Sequence, residues 1–599
     1  MFCPLTQKET NTAMLPIPIN DNTSTIENLS SLISKCVTTK SLKLGKALHS
    51  HLIKTALFFD VFLANKLIDV YSKCGCIEST HKAFDDIPNK TTRSWNTLLS
   101  FYSKTGSFTH AYKLFDKMPQ RNLVSYNSLI SGFTRHGFHK EAVNLFHVMQ
   151  NSCGGLVLDE FTLVSIVRNC SCLCNLKMLR EVHGVAVIVG FHSNVILNNA
   201  LINAYGKCGE TDASNCLFRS MLIKDVVSWT SMVVAYTQAS RIDDACRLFH
   251  DMPVKNSVSW TALISGFAKN GRCYEALNVF HQMLEEKVMP SAQTFVSVLD
   301  ACASEALIGK GKQVHCQIIR GSNSGNLFNV YVCNALIDMY GKCGDMKSAE
   351  NLFDIIHVKD VVSWNTLING FAQNGHGEDS LAVFSRMIEA NIEPNHVTFL
   401  GVLSACSHAG LINEGLKLLN LMEREYKVKP KSDHYAVIID LLGRKNKLKE
   451  ALCLIEKVPN NGIINHIAMW GALLGACRVH GNLELAKKAA EALFELEPEN
   501  TGRYVMLSNI YAACGRWCDA NRIRNVMKER CLKKEQACSW IELKNERHEF
   551  VAKDKLHPEI GEIYEVNSKL VKHLMDVGYQ PYISYPSLLD EDDDDFYFS

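Results

Sequence analysis

An eight-residue phrase returns along this chain at fixed intervals. VVSWNTLI (361–368) is echoed by VVSWTSMV from 226, SVSWTALI from 257, LVSYNSLI from 123 and TRSWNTLL from 92. Trp229 and Trp260 are 31 residues apart, as are Cys333 and Trp364, whereas Trp260 to Phe295 and Trp364 to Phe399 are 35. A fixed period of this length confines a chain to a stacked-repeat architecture, because one such unit is too small to bury a core alone. Glycine keeps the same beat. With units starting at 61, 92, 123, 195, 257, 330, 361 and 396, the fifteenth place holds Gly75, Gly106, Gly137, Gly209, Gly271, Gly344, Gly375 and Gly410; the unit from 226 has Ser240 there.

Each unit reads as two helices around that glycine. In 361–395, Leu367, Ile368 and Phe371 make one apolar face, Leu381, Phe384 and Met387 make another, and Pro394 closes the unit. Gly375 suits the left-handed residue that ends a helix. The predicted fold is all-α: a right-handed superhelical solenoid of stacked helix-turn-helix repeats with a helical C-terminal extension. Within the octet, Ser363 is placed as N-cap, which puts Asn365 in the first helical turn. The equivalent row is Asn65, Asn96, Asn127, Asn199, Thr230, Thr261, Asn334 and Asn365. All are small and can both donate and accept hydrogen bonds, and stacking lines them along one face.

The 599-residue chain exceeds a single compact core, and no apolar run reaches the roughly 18 residues of a membrane span. Net charge is +1, but the six acids of DEDDDD (590–595) leave +7 for the rest, which permits nucleic acid binding. The 23 cysteines sit in apolar contexts and read as buried small hydrophobes in a reducing compartment, CSCLC (170–174) included. The first 25 residues are rich in Ser, Thr, Asn and Pro, with Glu9 and Asp21 and no Arg before Arg93. They read as a disordered leader and a weak transit peptide.

A period of 31–35 also fits a tetratricopeptide array; the residues decide. VVSWNTLINGFAQNGHGEDSLAVFSRMIEANIEPN (361–395) resembles the pentatricopeptide repeat (PPR) consensus nearly throughout, and the alternating unit lengths resemble the plant PLS subclass. Short units are 61–91, 92–122, 195–225, 226–256 and 330–360; P units are 123–159, 257–291 and 361–395; L units are 26–60, 160–194, 292–329 and 396–431. The resemblance implies single-stranded RNA read one base per unit by the fifth and last residues. It pairs Asn65 with Thr91 and Asn96 with Asn122 for pyrimidines, and Asn127 with Asp159, Asn199 with Asp225 and Asn334 with Asp360 for U. It pairs Thr230 with Asn256 for A, Thr261 with Ser291 for a purine, and Asn365 with Asn395 for a pyrimidine. The L units carry Ser30, Val164, Val296 and Leu400 at the fifth place, and their bases stay open. The implied tract is Y-Y-U-n-U-A-R-n-U-Y, 5′ to 3′. Second-position Phe62, Val124, Ile196, Val227, Val258, Tyr331 and Val362 are expected to pack on bases, and Arg93 departs from that pattern.

The resemblance divides the chain into a leader (1–25), the PPR array (26–466), an E domain of helical pairs (467–534), an E+ extension (535–589) and an acidic tail (590–599). SWIELKNERHEFVA (539–552) alternates as a short hairpin does, and Gln536-Ala537 stand where the family has Pro-Gly. The DYW-type deaminase of many relatives needs H-x-E with P-C-x-x-C. His557 and Glu559 match the first half, but no C-x-x-C occurs and the last cysteine is Cys538. No catalytic residue, metal ligand or cofactor is therefore expected. What the resemblance implies is an organellar site-recognition factor for C-to-U RNA editing. Its partners would be single-stranded RNA, with a DYW-type deaminase and other editing factors in trans. No membrane association is expected, and the chain reads as a monomer, in the mitochondrion rather than the chloroplast. The alternatives are an RNA-binding protein in transcript stabilisation, splicing or translation, and a protein–protein scaffold.

Overall fold

The computed structural model describes residues 22–39, 41–55, 57, 60–152, 158–321, 328–458, 466–530, 532, 538–543, 546–551 and 559–578. These residues form α-helices and one two-stranded hairpin, and the chain divides into two compact units, 1–255 and 256–599. The helices come in pairs whose first members begin where the sequence units begin: Val61–Lys73, Thr92–Thr105, Leu123–Arg135, Glu160–Cys172, Val195–Lys207 and Val226–Gln238 in the first unit. In the second they are Ser257–Lys269, Ala292–Ser304, Val330–Lys342, Val361–Gln373 and His396–Ala409, followed by Ser432–Arg444, Ile467–His480 and Thr501–Ala513. Within each unit, every first helix packs on the first helix of the next pair, as in a stacked-repeat array. The fold is the α-solenoid that the period predicts.

The aromatic of the octet explains the stacking. Trp364 stands edge-on to Phe353 of the preceding second helix, with centroids 4.8 Å apart, and the Lys359 ammonium lies 4.8 Å from the same Phe353 ring centroid. Trp95 with Phe84 and Lys90, Tyr126 with Phe115 and Arg121, and Trp229 with Phe218 and Lys224 repeat the arrangement. Each such cluster joins aromatic burial to a cation–π contact at the joint between repeats. The glycines of the fifteenth place have φ between +71° and +83°, and Ser240 takes φ +57° in the same role. Such φ values suit glycine, which has no Cβ to clash. At Gly132 the reason is space instead: a Cβ there would lie 2.6 Å from the Ser103 Cβ.

Past the array, Ile467–His480 pairs with Leu483–Leu496, and Thr501–Ala513 with Trp517–Glu529. The hairpin expected from alternation is present: Cys538–Leu543 runs antiparallel to Glu546–Val551, with Trp540 opposite Glu549. Gln536, Ala537, His557, the acidic tail and the leader up to residue 21 lie outside the described residues. The CSCLC segment needs correction. Only Cys170 is buried; the helix ends at Cys172, Cys174 lies in the turn beyond it at φ +49°, and both are exposed. Burial pushes the Cys170 thiol up to about 12, so it packs as an inert hydrophobe.

Candidate nucleic-acid interface

The start of each first helix sets the geometry, and it lies three residues earlier than the sequence suggests. The helix Val361–Gln373 is capped by Asp360, whose carboxylate accepts from the Ser363 amide at 2.8 Å, while Ser363 Oγ accepts from the Asp360 amide at 3.3 Å. Ser363 is thus the third helical residue, not the N-cap, and Asn365 sits in the second turn. Asp and Ser are both capping residues, and a capping box uses both reciprocally. Thr91, Asn122, Asp225, Asn256, Ser291 and Asn395 make the same box, and Asp159 caps through its carboxylate. Every last-position residue singled out in the sequence is therefore the N-cap of the next repeat.

The fifth residue reaches that cap. Asn96 Nδ2 donates to Asn122 Oδ1 at 3.1 Å, Asn127 to both carboxylate oxygens of Asp159 at 3.3 Å and Asn199 to Asp225 at 3.1 Å. In the second unit Asn334 donates to Asp360 at 3.2 Å and Asn365 to Asn395 at 3.3 Å. These contacts fix which end of each amide faces which way. Asn122 Oδ1 and Asn395 Oδ1 must be oxygens because they accept backbone amides of their own helices. Their partners on Asn96 and Asn365 must then be NH2 groups, and a carboxylate imposes the same choice. The fifth-position Asn consequently turns its NH2 toward the cap. The asparagines are almost covered, 6–9% exposed, whereas Asp225, Asn256, Ser291 and Asp360 are exposed.

Threonine offers the opposite polarity. Thr230 Oγ1 donates to the Val226 carbonyl at 2.7 Å and Thr261 Oγ1 to that of Ser257 at 2.7 Å, which leaves the hydroxyls lone pairs to present. Not every predicted pair meets. Among the described residues no hydrogen bond joins Asn65 to Thr91, Thr261 and Ser291 meet through Thr294, and Thr230 and Asn256 belong to different compact units.

The second-position side chains stand out from the helices: Phe62, Val124, Ile196 and Val227 in one unit and Val258, Tyr331 and Val362 in the other are all exposed. Phe161 and Val397 occupy the same place on L-unit helices and are exposed too. They extend the row and were within reach of the sequence, since register alone marks them. A second missed row is basic and lies in the last turn of the first helices at the thirteenth place: Lys73, Lys104, Arg135 and Lys207, then Lys269 and Lys342. Its signal was the same register. In the first unit a shallow groove of about 450 Å³ gathers Lys73, Arg93, Asn96, Lys104, Asn122 and Val124, so cation, cap and apolar platform line one surface.

Burial pushes the Asp225 and Asp360 carboxyls up, but hydrogen bonds from Ser228 and Asn199, and from Ser363 and Asn334, outweigh it and hold both below the ordinary carboxylate range. Both are therefore anionic acceptors at neutral pH. Among the described residues no group of His, Cys, Asp or Glu is placed to hold a metal ion.

Family models match this chain repeatedly. The one described as PPR repeat covers 93–123, 124–153, 199–226, 227–257, 331–361, 397–426 and 433–463; that of the PPR repeat family covers 255–304 and 359–408. A pentatricopeptide repeat-containing protein of Arabidopsis thaliana is 48% identical over 88% of this chain and 88% of its own length. The chain belongs to the pentatricopeptide repeat family. Two further Arabidopsis thaliana PPR proteins are 42% and 38% identical over 92% and 91% of this chain, and 70% and 74% of their own. The E motif model matches 480–542 of this PPR chain, across the last helical pairs and into the hairpin. The crystal structure of the pentatricopeptide repeat protein PPR10 from maize overlays with a TM-score of 0.49 at 17% identity, over 81% of this chain and 76% of that one.

Proposed function

We propose that this PPR protein binds single-stranded RNA sequence-specifically in an organelle and marks a cytidine for C-to-U editing, with the deaminase supplied in trans. The observation that carries the reading is the fifth-residue NH2 fixed against an exposed or half-buried cap residue. Within one repeat the fifth Asn offers a donor to the carbonyl oxygen that both pyrimidines carry. The other polar atom of the cap then discriminates. The second oxygen of Asp accepts from the N3–H of U, and the NH2 of Asn donates to the bare N3 of C. Thr at the fifth place offers an acceptor instead, which suits the amino group of A. Exposed second-position apolar side chains give each base a surface to pack on, worth on the order of 1–3 kcal/mol for an aromatic one. The thirteenth-position cations suit the phosphates.

The E motif match supports editing over simple binding, and a DYW-bearing partner is the deaminase of this proposal. The mitochondrion is the proposed site. The test is sequencing of mitochondrial and plastid transcripts in a loss-of-function line beside its parent. Loss of U at one or a few cytidines just 3′ of a tract fitting Y-Y-U-n-U-A-R-n-U-Y is the expected result. Normal editing with an altered transcript end, intron or abundance would replace this reading with RNA binding alone. Chain lacking 467–599 should still bind the tract and fail to restore editing.

A further inference from the structure

Three repeats share the same fifth and last residues, Asn with Asp: Asn127–Asp159, Asn199–Asp225 and Asn334–Asp360. Pair identity alone makes them equal readers. The structure makes them unequal through a third side chain. The third residue of the following helix, wholly buried in each case, is Thr162 for the first pair, Ser228 for the second and Ser363 for the third. Thr162 Oγ1 stands between two acceptors, Asn127 Oδ1 at 2.6 Å and Asp159, and with its single proton on the Asn127 side the amide is held at both ends. Ser228 and Ser363 donate instead to Asp225 at 2.8 Å and Asp360 at 2.9 Å. The Oδ1 atoms of Asn199 and Asn334 are buried and have no hydrogen-bond partner among the described residues. The two classes recur elsewhere. Ser125 and Thr398 reach Asn96 Oδ1 and Asn365 Oδ1, at 2.8 and 2.6 Å, while Asn65 Oδ1 has no partner among the described residues.

We propose that the third-position hydroxyl of the next repeat is a positioning residue for base recognition, and that Asn127, clamped by Thr162, reads its base more strictly than Asn199 does. The inference rests on the RNA-binding reading and goes beyond it, since it ranks repeats that pair identity leaves equal. An amide whose oxygen is bonded cannot swing its NH2 off the groove. One whose buried oxygen lacks a donor gains by turning to find one.

Both repeats lie in the first compact unit, so one set of probes serves. Full-length protein is titrated with tract oligonucleotides carrying U or C opposite repeat 123–159, or opposite repeat 195–225. The expected U-over-C ratio is larger opposite 123–159 by roughly three- to tenfold, the worth of one buried hydrogen bond. Thr162→Val removes the hydroxyl at near-constant volume and should bring that ratio down to the level of the other repeat. Thr162→Ser should keep it, and both variants should leave the ratio opposite 195–225 unchanged. A merely structural role would weaken both oligonucleotides alike and leave the ratios fixed. Tract binding with equal wild-type ratios, or with ratios indifferent to these variants, overturns the inference alone. Failure of the wild-type protein to prefer the tract over a scrambled oligonucleotide overturns the RNA-reading proposal as well.

Discussion

Asp360→Asn separates the two jobs of a last-position residue. As N-cap, Asp360 accepts from the Ser363 amide and hydroxyl and from Asn334 Nδ2. Asn395 does equivalent work one repeat on with an amide oxygen, accepting from the Val397 and Thr398 amides and from Asn365. Asn at 360 can therefore keep every oxygen contact, and the cost to the fold should stay within about 0.5 kcal/mol. The change falls on the other atom, which turns from charged acceptor to neutral donor. A hydrogen bond to a charged group is worth about 1.5–3 kcal/mol net against about 0.5–1.5 for a neutral one. The preference for U over C opposite repeat 330–360 should accordingly fall by at least about 1 kcal/mol, roughly fivefold or more. The assay is equilibrium titration of the full-length protein with paired oligonucleotides differing only at that base, at one fixed salt concentration. An unchanged ratio in a variant with an unchanged thermal profile would refute the cap-as-reader mechanism. Equal loss for both oligonucleotides would show that the cap matters to the fold alone.

Three other outcomes follow from the packing and the titrating groups. Trp364→Ala should cost about 3–5 kcal/mol, because it empties the joint with Phe353, and hydrogen exchange should rise first in the repeats beside residue 364. Ser240→Gly should stabilise by about 0.5–1 kcal/mol, since Ser240 holds the left-handed φ that eight other units give to glycine; a drop in thermal midpoint would refute this. His49, His183 and His315 each meet a tyrosine hydroxyl through Nδ1, at 2.9, 3.0 and 3.0 Å, and burial holds all three below the ordinary value of 6.5. Folding then favours the neutral rings, so stability is full above pH 6.5 and should decline as pH falls through 6.5 and the unfolded chain takes up protons. A thermal midpoint flat between pH 7.5 and 5.5 would contradict that sign.

The repeat boundaries were legible because two independent signals, the octet and the fifteenth-place glycine, keep one register. The helix start was not. Asp360 and Ser363 are both good caps three residues apart, and only the reciprocal bonds show which one precedes the helix. The covering of the asparagines was equally hidden, since period places a side chain on a face but does not say how deeply the next repeat overlaps it. Phe161 and Val397 went unmarked because their L units carry apolar Val164 and Leu400 at the fifth place, and setting aside the reader also set aside the platform. The part played by Thr162 depends on which of two acceptors a buried hydroxyl reaches, a matter of tenths of an ångström that residue type does not encode.

Because the last-position residue of each proposed recognition pair also starts a helix, its repertoire is bounded by folding before any RNA is met. Thr91, Asn122, Asp159, Asp225, Asn256, Ser291, Asp360 and Asn395 draw on the four side chains that cap helices best. On the proposed reading, drift among those four would leave the solenoid intact while rewriting one letter of the target, so a new specificity could arise without passing through a misfolded ancestor. Where the position leaves that set, as at Lys431, which precedes the helix Ser432–Arg444, the same reading would have the repeat lose its letter and keep its place in the stack.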